Sequence, residues 1–189
     1  MYHVHKENRG AAKMRIYRRI ADLVTLTRAL LAPVIVWLGH TRGEASLSTV
    51  VYIILGNWIA DHVDGTVARL DPGGKVSWLG RNDLKIDVFF AVAVAVYLAA
   101  AGFIPMAWAL AFLSLWLLYF ARYGVSKAAG ILFQVLVYGY LLWPILRLAP
   151  ATLLWVFGWA VILLIWRWQR VVHELIPETI EVLTRVLRR

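Results

Sequence analysis

The chain has no cysteine, which excludes disulfides and thiolate metal sites. Acidic residues are few, 11 Asp and Glu against 20 Lys and Arg in 189 residues, for a formal net charge of +9. No glycine-rich loop of the P-loop or dinucleotide-binding kind occurs, and no serine or cysteine nucleophile pattern. His3, His5, His40 and His173 fit no ligand spacing. Internal repeats and low-complexity segments are missing too. The basic residues form no motif outside the ends of apolar runs, so nucleic acid is not an expected partner. The positive charge is read instead as membrane topology and attraction to anionic lipid head groups, worth about 1 kcal/mol per basic residue near the surface.

Hydrophobic residues, by contrast, make up 61% of the chain, against about 45–50% in a soluble domain. The excess falls in blocks of about 17–22 residues, the length that crosses a hydrocarbon core of roughly 30 Å. Six spans are expected, at 23–39, 47–68, 83–101, 104–123, 128–148 and 150–168. Turn chemistry separates them: His40-Thr41-Arg42-Gly43, Asp71-Pro72-Gly73-Gly74, Gly102 with Pro105, Gly124-Val125-Ser126-Lys127, and Pro150. The fold class is therefore an all-α integral membrane protein with six transmembrane helices. Residues 1–22 form a cytoplasmic N-terminal segment with a juxtamembrane amphipathic helix, 23–170 the transmembrane domain, and 171–189 a cytoplasmic amphipathic tail. The first apolar run follows a charged head with no small-residue cleavage site near it, and is read as retained.

Basic residues set the orientation. Lys6, Arg9, Lys13, Arg15, Arg18 and Arg19 precede the first span. Arg69, Lys75, Arg81 and Lys85 lie between the second and third, Arg122 and Lys127 between the fourth and fifth, and Arg167, Arg170, Arg185, Arg188 and Arg189 after the sixth. The other side has only Arg42 and Arg147, so both termini are expected in the cytoplasm. Trp143, Trp155, Trp166 and Trp168 sit near helix ends, where tryptophan anchors a helix at the interface.

The chemistry lies in the acids. Asp61 and Asp64 are three apart at the end of the second span, and Asp83 and Asp87 four apart at the start of the third. These spacings put each pair on one helical stripe, and the short connection makes the two helices antiparallel neighbours. Four carboxylates can then converge at one membrane face, the cytoplasmic one. Such groups beside a bilayer core need compensation. All-oxygen ligation suits magnesium, manganese or calcium. Two such ions about 3.5–4 Å apart could clamp a phosphoryl or phosphodiester displacement. Gly65 and Ala68 remove bulk from the Asp61–Asp64 stripe, either to admit a flat group or diphosphate or to let helices pack closely. Arg69 either pairs with a phosphate or an aspartate or marks the membrane boundary. His62 points off the stripe.

The run Asp61, Asp64, Gly65, Ala68 and Arg69, followed by Gly80, Asp83 and Asp87, resembles the signature of the CDP-alcohol phosphotransferases (class I), D-x-x-D-G-x-x-A-R and then G-x-x-x-D-x-x-x-D. The six-span plan is similar, as is Asp22-Leu23-Val24-Thr25-Leu26-Thr27-Arg28, which resembles the family's entry to its first span. The chain departs from the pattern at Gly80, which precedes Asp83 by three rather than four, and the Arg69-to-Asp83 separation is one residue longer than usual. Asp22 replaces a frequent asparagine, and Val88 a frequent basic residue.

The resemblance implies an enzyme of phospholipid synthesis in a bacterial inner (cell) membrane. It would transfer a phosphatidyl group from CDP-diacylglycerol to a small polar alcohol and release CMP. The first expected acceptor is glycerol 3-phosphate and the second an inositol phosphate. By the same resemblance Asp61, Asp64, Asp83 and Asp87 hold two Mg2+ (or Mn2+) ions, and Asp87 is also the general base. Gly65, Ala68, Arg69 and Gly80 bind the donor, and a homodimer is possible. Two other classes compete: a transporter coupled to a cation or to protons, and a catalytically inactive lipid-binding member of the same fold.

Overall fold

The computed structural model describes the backbone of residues 2–69 and 81–166, and the side chains of 22–62, 81–163 and 165. Among the described residues six α-helices follow one another and no strand occurs. They are α1 (Tyr2–Arg42), α2 (Leu47–Arg69), α3 (Asp83–Ala100), α4 (Met106–Tyr123), α5 (Lys127–Leu148) and α6 (Pro150–Trp166), with a short 3-10 helix, Gly43–Ser46, between α1 and α2. Each of the six expected apolar runs falls largely within one helix, the first within a helix that begins 21 residues ahead of the expected start and the last described as far as Trp166. Three helical stretches are long and apolar enough to cross a membrane: Asp22–His62, which turns back on itself at the 3-10 helix, Met106–Tyr123 and Lys127–Leu148. This is consistent with a membrane protein. Pro150–Leu163 is a shorter apolar helix.

The N-terminal segment differs from a separate surface helix. Tyr2–Arg42 is one continuous helix of 41 residues. Residues 11–32 contain neither glycine nor proline, so nothing interrupts the backbone hydrogen bonds where the arginine-rich head meets the apolar run. The side chains of that head and the whole of the 171–189 tail lie outside the described residues.

The chain divides into two compact units, Met1–Ala149 and Pro150–Arg189. In the first, α3 packs against α1, α4 and α5, while α2 lies against α1 and touches α5. Helical periodicity explains the buried faces. On α1 the inward stripe is Thr25, Arg28, Ala32, Ile35 and Gly39, at alternating steps of three and four. On α2 it is Leu47, Val50, Ile54 and Asn57, and on α5 Gly130, Phe133, Val137, Leu141 and Ile145. α3 is buried on nearly all sides from Val88 to Ala99, as its central place requires.

Two points hold α1 parallel to α3. At one end Arg28 meets Asp83 and Asp87. At the other, Gly39 lies against Tyr97 and Ala100. A Cβ on Gly39 would fall 2.8 Å from Tyr97 Cδ2 and 3.3 Å from its Cα. The ring cannot retreat, because Tyr97 is fully buried and its Oη lies 3.4 Å from Ser46 Oγ, which donates on to the Gly43 carbonyl at 2.6 Å. Gly130 likewise lets α5 approach Leu84 and Val88 of α3. α4 presents most of its surface outward, with Trp108, Leu110, Leu115, Leu117 and Leu118 exposed. In water this would be a liability, but against lipid tails it is the expected surface. Trp143 is exposed on α5 with the Arg147 guanidinium 4.3 Å from its ring centre, a pairing suited to an interface. In the second unit Trp155 is exposed on α6.

Gly39→Ala is expected to destabilise by about 1–3 kcal/mol through overpacking. Gly56→Ala, whose new methyl would meet nothing within 4 Å, should be neutral or stabilising by up to about 1 kcal/mol. Unfolding of both variants in detergent checks the pair, and equal effects would refute the close α1–α3 approach.

Candidate functional site

The site forms where the C-terminal part of α2 and the first turn of α3 come level with the middle of α1. Asp61 continues the α2 stripe one turn beyond Asn57, so it emerges at the edge of the buried face. Asp83 and Asp87 lie one turn apart at the start of α3. A carboxylate in a helix's first turn is favoured by the helix dipole, which steadies Asp83 there. The next positions around the helix, Leu84 and Val88, face Gly130 of α5. α5 therefore backs the acidic stripe from behind.

Asp61, Asp83 and Asp87 each offer one oxygen, and these oxygens lie within 4.8 Å of one another. All three side chains are partly exposed, at 37%, 39% and 23%. Oxygens across a bound ion lie about 4–5 Å apart for magnesium to calcium, so this spacing and the all-oxygen donor set fit one hard divalent cation. Of the four acids expected to converge, three do. Asp64 lies on the helical backbone three residues past Asp61, as do Gly65, Ala68 and Arg69 further on, but their side chains are outside the described residues. Gly80 is outside them altogether. His62 Nδ1 is 3.2 Å from the Trp58 carbonyl one turn back.

Arg28, marked in the sequence only as the end of the Asp22–Arg28 run and given no site role there, belongs to the site. It is 2% exposed and is the largest fully buried side chain of the described residues. Its Nη1 is 2.9 Å from Asp61 Oδ1 and donates to Asp83 Oδ1 at 3.0 Å. Nη2 donates to Asp87 Oδ1, and Nε donates to the buried Asn57 Oδ1 at 3.3 Å. One planar guanidinium thus joins α1, α2 and α3 through donors on all three of its nitrogens. A signal for this was present. An arginine inside an apolar run must find a carboxylate or reach the interface, and position 28 falls on the inward stripe of α1. Asn57, a lone amide in an apolar stretch of α2, carries the same kind of signal more weakly.

The surroundings are apolar and aromatic. Trp58 and Tyr138 meet edge to face with ring centres 5.3 Å apart, joining α2 to α5 near the same level. Chemically, the arrangement offers a cluster of three half-exposed carboxylates with a single positive charge beneath them. It can hold a hard cation, accept protons, or bind the basic part of a ligand.

No family model, no curated protein and no solved structure matches the chain.

Asn57→Leu keeps the number and branching of side-chain heavy atoms but removes the acceptor for Arg28 Nε. It is expected to cost about 1–3 kcal/mol, the penalty for an unsatisfied buried donor. Comparison of its melting temperature with that of the exposed Thr49→Ala tests this; equal shifts would place Asn57 outside the network.

Proposed function

We propose that the protein is a six-span membrane enzyme of the CDP-alcohol phosphotransferase type, transferring a phosphatidyl group from CDP-diacylglycerol to a small polar alcohol with release of CMP. The single observation carrying this reading is the convergence of Asp61, Asp83 and Asp87 from consecutive helices, which are the positions that align with the family signature. The two other hypotheses each lack such an observation. A coupled transporter needs a polar path onward from the acids, and the inward stripe of α1 beyond them, Ala32, Ile35 and Gly39, is buried and apolar. An inactive lipid-binding member would have no need of three ionisable groups in one place.

On this reading Asp61, Asp83 and Asp87, joined by Asp64, hold divalent metal, Mg2+ or Mn2+, with two ions in the full complex. Bound metal would neutralise the donor diphosphate and stabilise the charge that builds on the departing CMP. The chain's own groups do the rest. Asp87 accepts the proton of the acceptor hydroxyl as its oxygen bonds to the phosphatidyl phosphorus and the bond from that phosphorus to the CMP oxygen breaks. A carboxylate with an ordinary pKa near 4 is far too weak to ionise an alcohol beforehand, so the proton moves as bonding develops. Gly65 and Ala68 leave room for the nucleotide, while Arg69 and Gly80 lie at positions that bind the donor in the resembling family. The acyl chains stay among apolar helices, and the acceptor arrives from water on the side of the exposed carboxylates. Glycerol 3-phosphate is the first candidate acceptor and an inositol phosphate the second. The basic residues that flank the spans favour a cytoplasmic side for both termini and the acids, and the family resemblance is what points to a bacterial inner (cell) membrane.

Purified protein given CDP-diacylglycerol, Mg2+ or Mn2+ and a panel of alcohols is expected to release CMP with at least one of them. Asp87→Asn should lower the rate by about 10²-fold or more while the protein still folds. Wild-type rates in that variant would remove Asp87 as the base. Ion flux in proteoliposomes free of CDP-lipid, with no CMP release from any acceptor, would replace the enzymatic reading with the transport one.

A further inference from the structure

The guanidinium of Arg28 is paired with the same three carboxylates that would hold metal. Its Nη1 is 2.9 Å and 3.0 Å from Asp61 Oδ1 and Asp83 Oδ1, and Nη2 is bonded to Asp87 Oδ1. The side chain is 2% exposed, on an inward stripe between Thr25 and Ala32, and its Nε is tied to the buried Asn57. It cannot turn to solvent without leaving that amide. Three like charges whose oxygens lie within 4.8 Å repel strongly, and without a positive charge among them the helices would be driven apart or the acids would take up protons.

We propose that Arg28 is the built-in counter-ion of the carboxylate cluster: it holds α1, α2 and α3 together when no metal is bound, and it competes with divalent cation for the oxygens of Asp61, Asp83 and Asp87. This rests on the metal-binding reading above and goes beyond it, because it assigns a second state to the same site. In the metal-free state the acids are neutralised from within. In the loaded state the cation takes over part of that neutralisation, and the guanidinium gives up at least one of its three carboxylates. Arg28 is thus a positioning residue with two consequences. The fold does not need metal to survive, and metal affinity is lower than three carboxylates alone would give. The second consequence suits a site that must let metal and diphosphate assemble together rather than store metal permanently.

The test uses the full-length protein in detergent, stripped with chelator, and Mn2+ alone as probe. Binding is read from the electron paramagnetic resonance signal of free Mn2+, and stability from thermal unfolding. Arg28→Met is expected to bind Mn2+ more tightly than wild type by on the order of tenfold or more, the effect of removing one adjacent like charge. Arg28→Lys, which keeps the charge but not the fork, should fall between them. Without metal, Arg28→Met should melt below wild type and be raised by Mn2+ more than wild type is. Adding Asp83→Asn to Arg28→Met should recover part of the metal-free loss, since one of the unbalanced charges is gone.

Equal or weaker Mn2+ binding in Arg28→Met, with wild type binding normally, would overturn the competition and leave the metal site standing. No Mn2+ binding in either protein would overturn the metal reading and the competition with it. Should Arg28→Met not fold without metal, Arg28→Lys carries the affinity comparison, and the double variant decides whether charge was the cause: no recovery on neutralising Asp83 overturns the counter-ion role.

Discussion

A guanidinium held among apolar helices constrains this molecule more than any apolar contact does. Taking an arginine out of water costs several kcal/mol, recovered only when its donors meet well-placed acceptors. Arg28 meets Asn57, Asp61, Asp83 and Asp87, and those partners come from two helices besides its own. A slide of α2 or α3 by one residue, about 1.5 Å along the axis, would break several of these bonds together. The interaction therefore fixes helix register, which lipid-facing apolar packing does weakly because the tails are as apolar as the side chains. The Gly39–Tyr97 contact at the other end of α1 supplies the second point of the register by shape rather than charge.

These two points also explain why small residues sit where they do. Gly39 brings α1 close enough to α3 for Arg28 to reach Asp83 and Asp87 further along the same pair of helices. Gly130 brings α5 onto Leu84 and Val88, so the side of α3 adjacent to the acids is filled. With α1 beneath the cluster and α5 behind it, the carboxylates keep one open side, and this accounts for their partial exposure. Burial of the arginine and exposure of the acids are two aspects of one packing arrangement.

Much of this was legible in the sequence. Runs of apolar residues near bilayer length, cut by Gly102, Pro105, Gly124 and Pro150, defined the helices because backbone polar groups in such runs have to bond within the segment. Helical period put Asp83 and Asp87 on one stripe, but the expected packing of the second span against the third is not what brings Asp61 to them: among the described residues α2 and α3 each pack against α1, and the three acids meet across its Arg28. The continuity of α1 was not legible: a change from arginine-rich to apolar composition looks like an element boundary, whereas the helix responds only to breakers, and there were none near residue 22. The role of Arg28 was hidden for another reason: the sequence marks it only as the last residue of the Asp22–Arg28 run, and its role depends on partners 29 to 59 residues away in the chain. The readings of Asp64, Gly65, Ala68, Arg69, Gly80 and the 171–189 tail fall on side chains or segments outside the described residues.

Charge counting constrains the proposed chemistry further. Asp61, Asp83 and Asp87 carry three formal negative charges and Arg28 one positive, so the described groups sum to about minus two. One divalent ion balances them while Arg28 stays. A second would leave the cluster positive even with Asp64 ionised, unless negative charge comes with it, and a diphosphate brings that charge. On the proposed reading the second ion is therefore a companion of the donor rather than a resident of the empty protein. A site built for storage or constant occupancy would place more carboxylates and no arginine among them. Arg28, the one buried cation among the described residues, is better suited to a cycle in which charge arrives with the substrate and leaves with the nucleotide.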